Sequence, residues 1–401
     1  MSVKFAHIAD CHLGAWHARL QEMNLDSFNK TIDICIAERV DFVLITGDLF
    51  DVATPPIDIL KDATGKLKQL ADAGIKCYII AGSHDYSVSG KTFLDVLEKA
   101  GLMSNVSIVH EKEDGKIEIE LIETDKMLIA GLPGKKAGLE TALINRNIIN
   151  MASNVSNKLK ILALHTTISE AMNVYRPESI EFMDSINSSE LPVGFDYYAL
   201  GHIHFNFEKN IDGKHIVYPG PLFPNNFSEM DELKEGSFCI VNYDGKIHVE
   251  KRTIALNVES MKISATDKEP LQITAEIMKK IENLHDKIIT LKVFGKLKGN
   301  ISDIQFVKIN ELAEENKCVL LKNTSDLENP DLKTNFKIEA TDIEEIEKEI
   351  IHKFTEENKS DFNSMINLLM KTFNMDKQEG ETSASFEKRI SQDIEKIIGL
   401  K

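Results

Sequence analysis

Five short apolar runs in this chain each end in aspartate or histidine, and that recurrence constrains its fold more than any other feature. Residues 42–45 lead into Gly47-Asp48, within the stretch DFVLITGDLFD. Such a run is a buried strand delivering a carboxylate to a sheet edge, with a glycine ahead of it so that the backbone can turn tightly. The other four are 4–9 before Asp10-Cys11-His12, 75–81 before Gly82-Ser83-His84-Asp85, 159–164 before His165, and 197–200 before Gly201-His202-Ile203-His204. In open α/β sheets, sites form beyond the carboxyl ends of strands, so these residues are expected to converge although they lie far apart in the chain. Carboxylate and imidazole ligands, with one carboxylate free to bridge, suit two transition-metal ions. One aspartate after a strand is ordinarily a turn residue or a helix cap; five such endings in series are not independent accidents.

The order D-x-H, G-D, G-S-H-D, H, G-H-x-H resembles that of the calcineurin-like metallophosphoesterases, whose third element is G-N-H-D. Within that group, the DCHLG opening, GDLFD, the long gap to His165 and the GHIH ending followed by Tyr218-Pro219-Gly220 resemble one branch. This branch is the double-strand-break repair nuclease family, called "meiotic recombination eleven" in archaea and eukaryotes and SbcD in bacteria. The resemblance covers residues 1–250; beyond them only the arrangement matches. It implies an α/β fold, a four-layer α-β-β-α sandwich with a small α/β capping domain and C-terminal helices.

By resemblance, Asp10, His12, Asp48 and His204 hold one metal. Asp48, His165 and His202 hold the other, with Asp48 bridging. Ser83 stands where the family has an asparagine that ligates the second metal. A hydroxyl is shorter and a poorer ligand, so Ser83 is expected either to ligate weakly or to leave the position to water. His84 is expected to be catalytic, steadying developing charge or protonating the leaving sugar oxygen. Asp85 is expected to orient that imidazole, and Asp51 to lie near the site without binding metal. Two cations lower the pKa of water, neutralise a phosphodiester and stabilise both attacking and leaving oxygens, so no serine or cysteine nucleophile is needed.

Composition bounds the rest. A length of 401 residues fits two or three domains. Hydrophobic and charged fractions of 42% and 28% are ordinary for a globular protein. The five scattered cysteines, Cys11, Cys35, Cys77, Cys239 and Cys318, read as reduced core residues of a cytoplasmic protein. Strand alternation points Cys11 away from the metals. No apolar run approaches a membrane span, and no signal peptide is expected ahead of the first strand. The net charge of −17 speaks against nucleic acid at first sight. Global charge does not decide the local field, and DNA as substrate rests on the resemblance.

Along the chain, β-α-β-α-β is expected over the first hundred residues, with apolar spacing at Leu25, Phe28, Ile32, Cys35 and Ile36, then at Leu60, Leu67 and Leu70 before Gly74. Trp16, in a polar loop with His17 and Arg19, either stacks on a base or packs beneath that loop; packing is preferred. Short strands follow from Val106, with turn signals at Asp114-Gly115 and Asp244-Gly245. Lys135 and Lys136 are candidates to touch a phosphate backbone, and 166–194 is a long irregular connection. We expect a metallophosphoesterase domain at 1–254, a β-α-β-α-β capping unit at 255–327, and a linker with C-terminal helices at 328–401. The three apolar stripes in that last part run through Ile343 to Phe354, Met365 to Phe373, and Phe386 to Ile397. In the family, the capping domain helps select DNA and the terminal helices dock on the coiled coil of an SMC-like ABC ATPase.

The expected function is therefore a two-metal DNA nuclease of double-strand-break repair. The family implies manganese, and ligand type also permits Fe or Zn. It also implies 3′-to-5′ exonuclease action on duplex ends, endonuclease action on single strands or hairpins, and a homodimer. Two alternatives stand beside this. A metallophosphoesterase for a small phosphodiester would need neither cap nor terminal helices. A non-catalytic adaptor for DNA ends and the ATPase has Ser83 as its only support.

Overall fold

The computed structural model describes residues 2–85, 92–111, 117–134, 144, 148–149, 158–174 and 185–328, with isolated helical positions between 365 and 394. Residues 1–329 form one compact unit and 330–401 a second. In the first unit, β1 (Val3–Ile8), β2 (Phe42–Thr46), β3 (Lys76–Ile80) and the short β4 (Ser104–Asn105) run parallel. Helices α1 (Ala18–Ala37), α2 (Ile57–Asp72) and α3 (Phe93–Lys99) cross between them. Arg39 follows α1 in the left-handed region at φ 52°, and Gly74 follows α2 at φ 76°. Both positions are where a helix stops without its next turn.

Next come β5 (Val109–Glu111), β6 (Ile117–Ile119), β7 (Ile122–Glu123), β8 (Met127–Leu132) and β9 (Ile148–Ile149); β5, β6 and β9 make a small sheet of their own. After β10 (Leu159–His165), α4 (Ser169–Met172), β11 (Tyr197–Gly201), β12 (Asn206–Ile211) and β13 (Lys214–Pro219), the second large sheet is complete in the order β12-β13-β11-β10-β8-β7. Helix α5 (Phe227–Leu233) precedes the hairpin of β14 (Glu235–Tyr243) and β15 (Ile247–Ala255). That hairpin returns to the first sheet, giving β15-β14-β1-β2-β3-β4.

Strand alternation produces the layers. Phe5, Phe42, Leu44, Tyr78 and Ile80 of the first sheet face Ile129, Ile161, Ala163, Tyr197 and Ala199 of the second. Phe5 stacks on Phe42 at 4.8 Å and meets Tyr197 edge-on at 5.4 Å. Phe5→Ala would cost about 3–5 kcal/mol at such a fully buried position. The alternate residues, among them Ala6, Ile8, Val43, Ile45 and Ile79, pack outward on Phe28, Ile32, Leu67 and Leu70 of α1 and α2. On the far side, Leu162, Leu164, Tyr198 and Leu200 are covered by Ile168, Ala171 and Ile186. This is the expected α-β-β-α order. Cys11 lies in the outward cluster with Phe28 and Ile32 of α1.

The β-α-β-α-β segment forms β16 (Val258–Ser264), α6 (Pro270–Ile281), β17 (Ile288–Lys296), α7 (Phe306–Glu315) and β18 (Val319–Asn323), with β19 (Leu327–Glu328) added to β17. Every pair is parallel, and the sheet has its own core, including Ile263, Ile277, Leu291 and Ile309. It meets the sandwich through a smaller cluster of Leu20, Phe223, Met230 and Ile288, with Trp16 packed against it. Trp16 Nε1 donates to the Pro224 carbonyl at 2.9 Å. Trp16 is therefore packed beneath its loop, the preferred of its two readings.

The elements that were not expected include β12 and α5. β12 is polar and largely exposed, so it lacks an alternating apolar face; its signal is the Asp212-Gly213 turn, where both residues have positive φ. Helix α5 is seven residues long, too short to show helical periodicity. Lys135 and Lys136 lie outside the described residues. In the second unit Met365, Leu369 and Phe386 are helical, and the Arg389 guanidinium sits 5.3 Å from the Phe386 ring centre. The stripe of Ile343, Ile346, Ile350 and Phe354 lies outside the described residues.

Candidate metal centre

The parallel strands of both sheets end at one edge, and backbone pairing draws their loops together. The amides of Asp10, His12 and Leu13 donate to the carbonyls of Gly47, Asp48 and Leu49 at 3.2, 3.0 and 3.0 Å. Across the sandwich, His165 Nδ1 lies 2.9 Å from the Thr46 carbonyl. The amide of His202 donates to Asp10 at 3.0 Å. Strain is concentrated here: Asp10, His12, Asp48 and His202 have φ of 50°, 43°, 51° and 92°. Side chains other than glycine rarely adopt such backbone angles, and strain of this kind gathers at functional sites.

Glycine makes the close approach possible. A Cβ on Gly47 would overlap the His165 ring, and one on Gly82 would overlap Asp48.

Two of the donor clusters match the expected ligand groups. Asp10, His12 and His204 present donor atoms within 4.8 Å of one another, and so do Asp48, His165 and His202. Asp48 lies between the groups: its Oδ2 is 3.1 Å from His165 Nε2 and 3.8 Å from His12 Nε2. Its Oδ1 accepts from the His84 amide at 2.8 Å. Burial works to raise the Asp48 carboxyl, but the His165, His12 and His84 rings outweigh burial and hold it well below the usual carboxylate range. Burial raises Asp10, although four neighbouring charges include three histidines that oppose the rise.

The donor set fits divalent cations. His12 and His204 face each other through Nε2 at 3.1 Å. Each turns its Nδ1 towards a carboxylate, His12 to Asp51 at 3.3 Å and His204 to Glu229 at 3.0 Å. The His12–Asp51 approach is off the hydrogen-bond line. His165 Nδ1 is engaged by Thr46, so its buried Nε2, without a hydrogen-bond partner, faces Asp48. Lone pairs opposed to lone pairs and carboxylates call for positive charge between them. The same field acts on protons. Burial lowers His165 and His204, yet Asp48 and Glu229 respectively outweigh it and push them up to about 10 and about 9. His202, desolvated and next to His165, is pushed down to about 3 and stays neutral.

Three expected residues stand beside these candidate ligands. Ser83 Oγ is 3.5 Å from Asp48 Oδ2. His84 is the most exposed ring of the site, and its Nδ1 lies 2.7 Å from the Asp51 carbonyl. Asp85 corrects an expectation. Its carboxylate accepts from the buried amides of Leu49, Phe50 and Gly82 at 3.2, 3.1 and 3.1 Å, while the group that engages the His84 imidazole is Asp51. Neighbouring residues in a turn point apart, and Asp85 points inward to tie the β2 and β3 loops together. Burial first, and then Asp48, pushes its carboxyl up to about 6. Asp51 also sits closer to His12 and His84 than anticipated; the three make a further group of clustered donors. Glu229 escaped sequence reasoning. Its readable signal was Asn226-x-x-Glu229, a helix-start spacing. His17 is exposed at the start of α1.

The sandwich and the aspartate and histidine side chains at its strand ends define the class. The calcineurin-like phosphoesterase family model matches residues 3–206. The DNA double-strand break repair protein Mre11 of Methanocaldococcus jannaschii is 30% identical over 354 residues, 85% of this chain and 88% of that protein. The protein of the same name from Sulfolobus acidocaldarius is 26% identical over 369 residues, 86% of this chain and 89% of that one. The chain belongs to the Mre11 family of calcineurin-like phosphoesterases.

Proposed function

We propose that this protein is a two-metal DNA nuclease of double-strand-break repair. The observation that carries the reading is the pair of ligand groups flanking Asp48, with His84 exposed beside them. Asp10, His12, Asp48 and His204 would hold one divalent cation, and Asp48, His165 and His202 the other, with Ser83 or a water as a further donor. Bound cations neutralise the phosphodiester and lower the pKa of water. The chain supplies the rest. The Asp51 carbonyl accepts a hydrogen bond from His84 Nδ1–H, which leaves Nε2–H free to donate its proton to the leaving sugar oxygen. Asp85 holds the two loops that carry Asp48 and His84 in register.

The finer reading follows the family. The metal is manganese, duplex ends are degraded 3′ to 5′, and single strands and hairpins are cut internally. The segment 255–327 is a cap that helps select DNA, and 328–401 docks on the coiled coil of an SMC-like ABC ATPase. The core forms a homodimer, and the protein acts in the cytoplasm. Among the described residues no helix is long and apolar enough to cross a membrane.

The test is digestion of 3′-labelled linear duplex DNA by the full chain with manganese, beside an Asp48→Ala control. Release of label that the control abolishes is expected. Hydrolysis of a small phosphodiester but not DNA, with and without the ATPase, would overturn the substrate assignment. Inactivity on both, with no metal retained, would leave the adaptor reading.

A further inference from the structure

Helix α5 reaches in two directions. On one side Glu229 Oε1 meets His204 Nδ1 at 3.0 Å. On the other, Met230 is buried with Leu20, Phe223 and Ile288, and Asp231 accepts a hydrogen bond from the buried hydroxyl of Thr290 on β17. The helix lies against β16, β17 and β18. The Glu229 carboxylate is fixed from both oxygens. Oε2 accepts from the Asn225 amide at 2.8 Å, and Oε1 also accepts from Asn226 Nδ2 at 2.5 Å. Asn226 in turn caps the Glu229 amide at 3.0 Å. Burial works to raise the Glu229 carboxyl, but the His204 hydrogen bond holds it below its usual range, so it acts as an acceptor.

An imidazole has two tautomers, and only the one with hydrogen on Nδ1 offers Nε2 as a donor atom towards Asp10 and His12. The group bonded to Nδ1 selects between them.

We propose that Glu229 is a positioning residue: it fixes His204 as the Nδ1–H tautomer with Nε2 aimed at the metal position. Because α5 is seated on the four-stranded sheet, that sheet becomes part of the support of the metal centre. The proposal rests on the metal-centre reading above. It goes beyond that reading in assigning a role to a residue and a helix that are not ligands.

Two near-isosteric changes separate reach from charge. Glu229→Gln keeps the length and an acceptor oxygen but loses the charge. Glu229→Asp keeps the charge and withdraws the carboxylate by one methylene. Manganese titration of the metal-free full chain is expected to show Glu229→Asp weakened about 10–100-fold, the range typical of lost outer ligands' supports. Glu229→Gln is expected to stay within about threefold of wild type. Wild-type affinity in Glu229→Asp, or equal losses in both variants, would overturn the proposal. A long-range ¹H–¹⁵N histidine spectrum of the metal-free protein, taken above about pH 10 where the His204 imidazole is neutral, gives a readout independent of metal. His204 is expected to carry hydrogen on Nδ1 in wild type and Glu229→Gln, and to shift towards Nε2–H in Glu229→Asp. If wild type bound no manganese yet kept this tautomer pattern, the metal-centre reading would fail while the positioning of His204 stood. Hydrogen on Nε2 in wild type would overturn the positioning itself.

Discussion

His84 Nδ1 lies 2.7 Å from the carbonyl oxygen of Asp51, a backbone atom that cannot be removed by mutation. The ring is thereby held with Nε2 outward, and it clusters with His12 and Asp51 rather than with either of the groups proposed to hold metal. His84→Gln should lower kcat on duplex DNA by about 10²–10⁴-fold, the span of general acid–base catalysis. Manganese stoichiometry should be unchanged. Steady-state kinetics with a metal titration checks both, and loss of a bound ion in the variant would make His84 a ligand instead.

Asp85 is a structural tie between the loops after β2 and β3. Asp85→Ala leaves the amides of Leu49, Phe50 and Gly82 buried without their acceptor. Each such group costs about 1–3 kcal/mol, so urea denaturation should show a loss of about 3 kcal/mol or more. Unchanged stability with collapsed turnover would restore Asp85 to the orienting role that its place in the sequence first indicated.

Ser83 approaches Asp48 Oδ2 at 3.5 Å without the reach of an amide side chain. Ser83→Asn should tighten the weaker manganese site by about tenfold, or about 1.4 kcal/mol. Electron paramagnetic resonance of free manganese during titration measures this. An unchanged second binding constant would show that the position needs no side-chain oxygen.

His7 is buried between the sheets, 2.9 Å from the Tyr197 hydroxyl and 3.0 Å from Thr46 Oγ1. Burial pushes it from its ordinary 6.5 down to about 3. Below pH 6.5 the unfolded chain takes up a proton that the folded protein refuses. The stability this residue contributes is thus fully present above about pH 6.5 and is lost as pH falls towards 3, at up to about 1.4 kcal/mol per unit. His7→Gln keeps a donor and an acceptor but does not titrate. Denaturation between pH 4 and 7 should show a shallower loss for the variant, and parallel curves would mean that His7 titrates normally.

The sequence alone determined which residues make up the candidate metal centre. A strand buried on both faces must be short and apolar, so the first polar residue after it is a site residue or a turn residue. Asp10, His12, Asp48, His165, His202 and His204 were legible for that reason, as were the helices whose apolar residues recur at 3.6-residue spacing. The β-α-β-α-β of residues 258–323 was legible too, because its core is continuous. Only the tertiary structure decided how these residues face one another. Asp85 adjoins His84 in the chain but turns inward to three amides, whereas Asp51, thirty-three residues from His84, engages its ring. Glu229 reaches His204 across twenty-five residues, from a helix too short for periodicity to reveal. Side-chain direction at a strained turn, and contact between distant loops, depend on where two sheets meet, and no local pattern of residues encodes that distance.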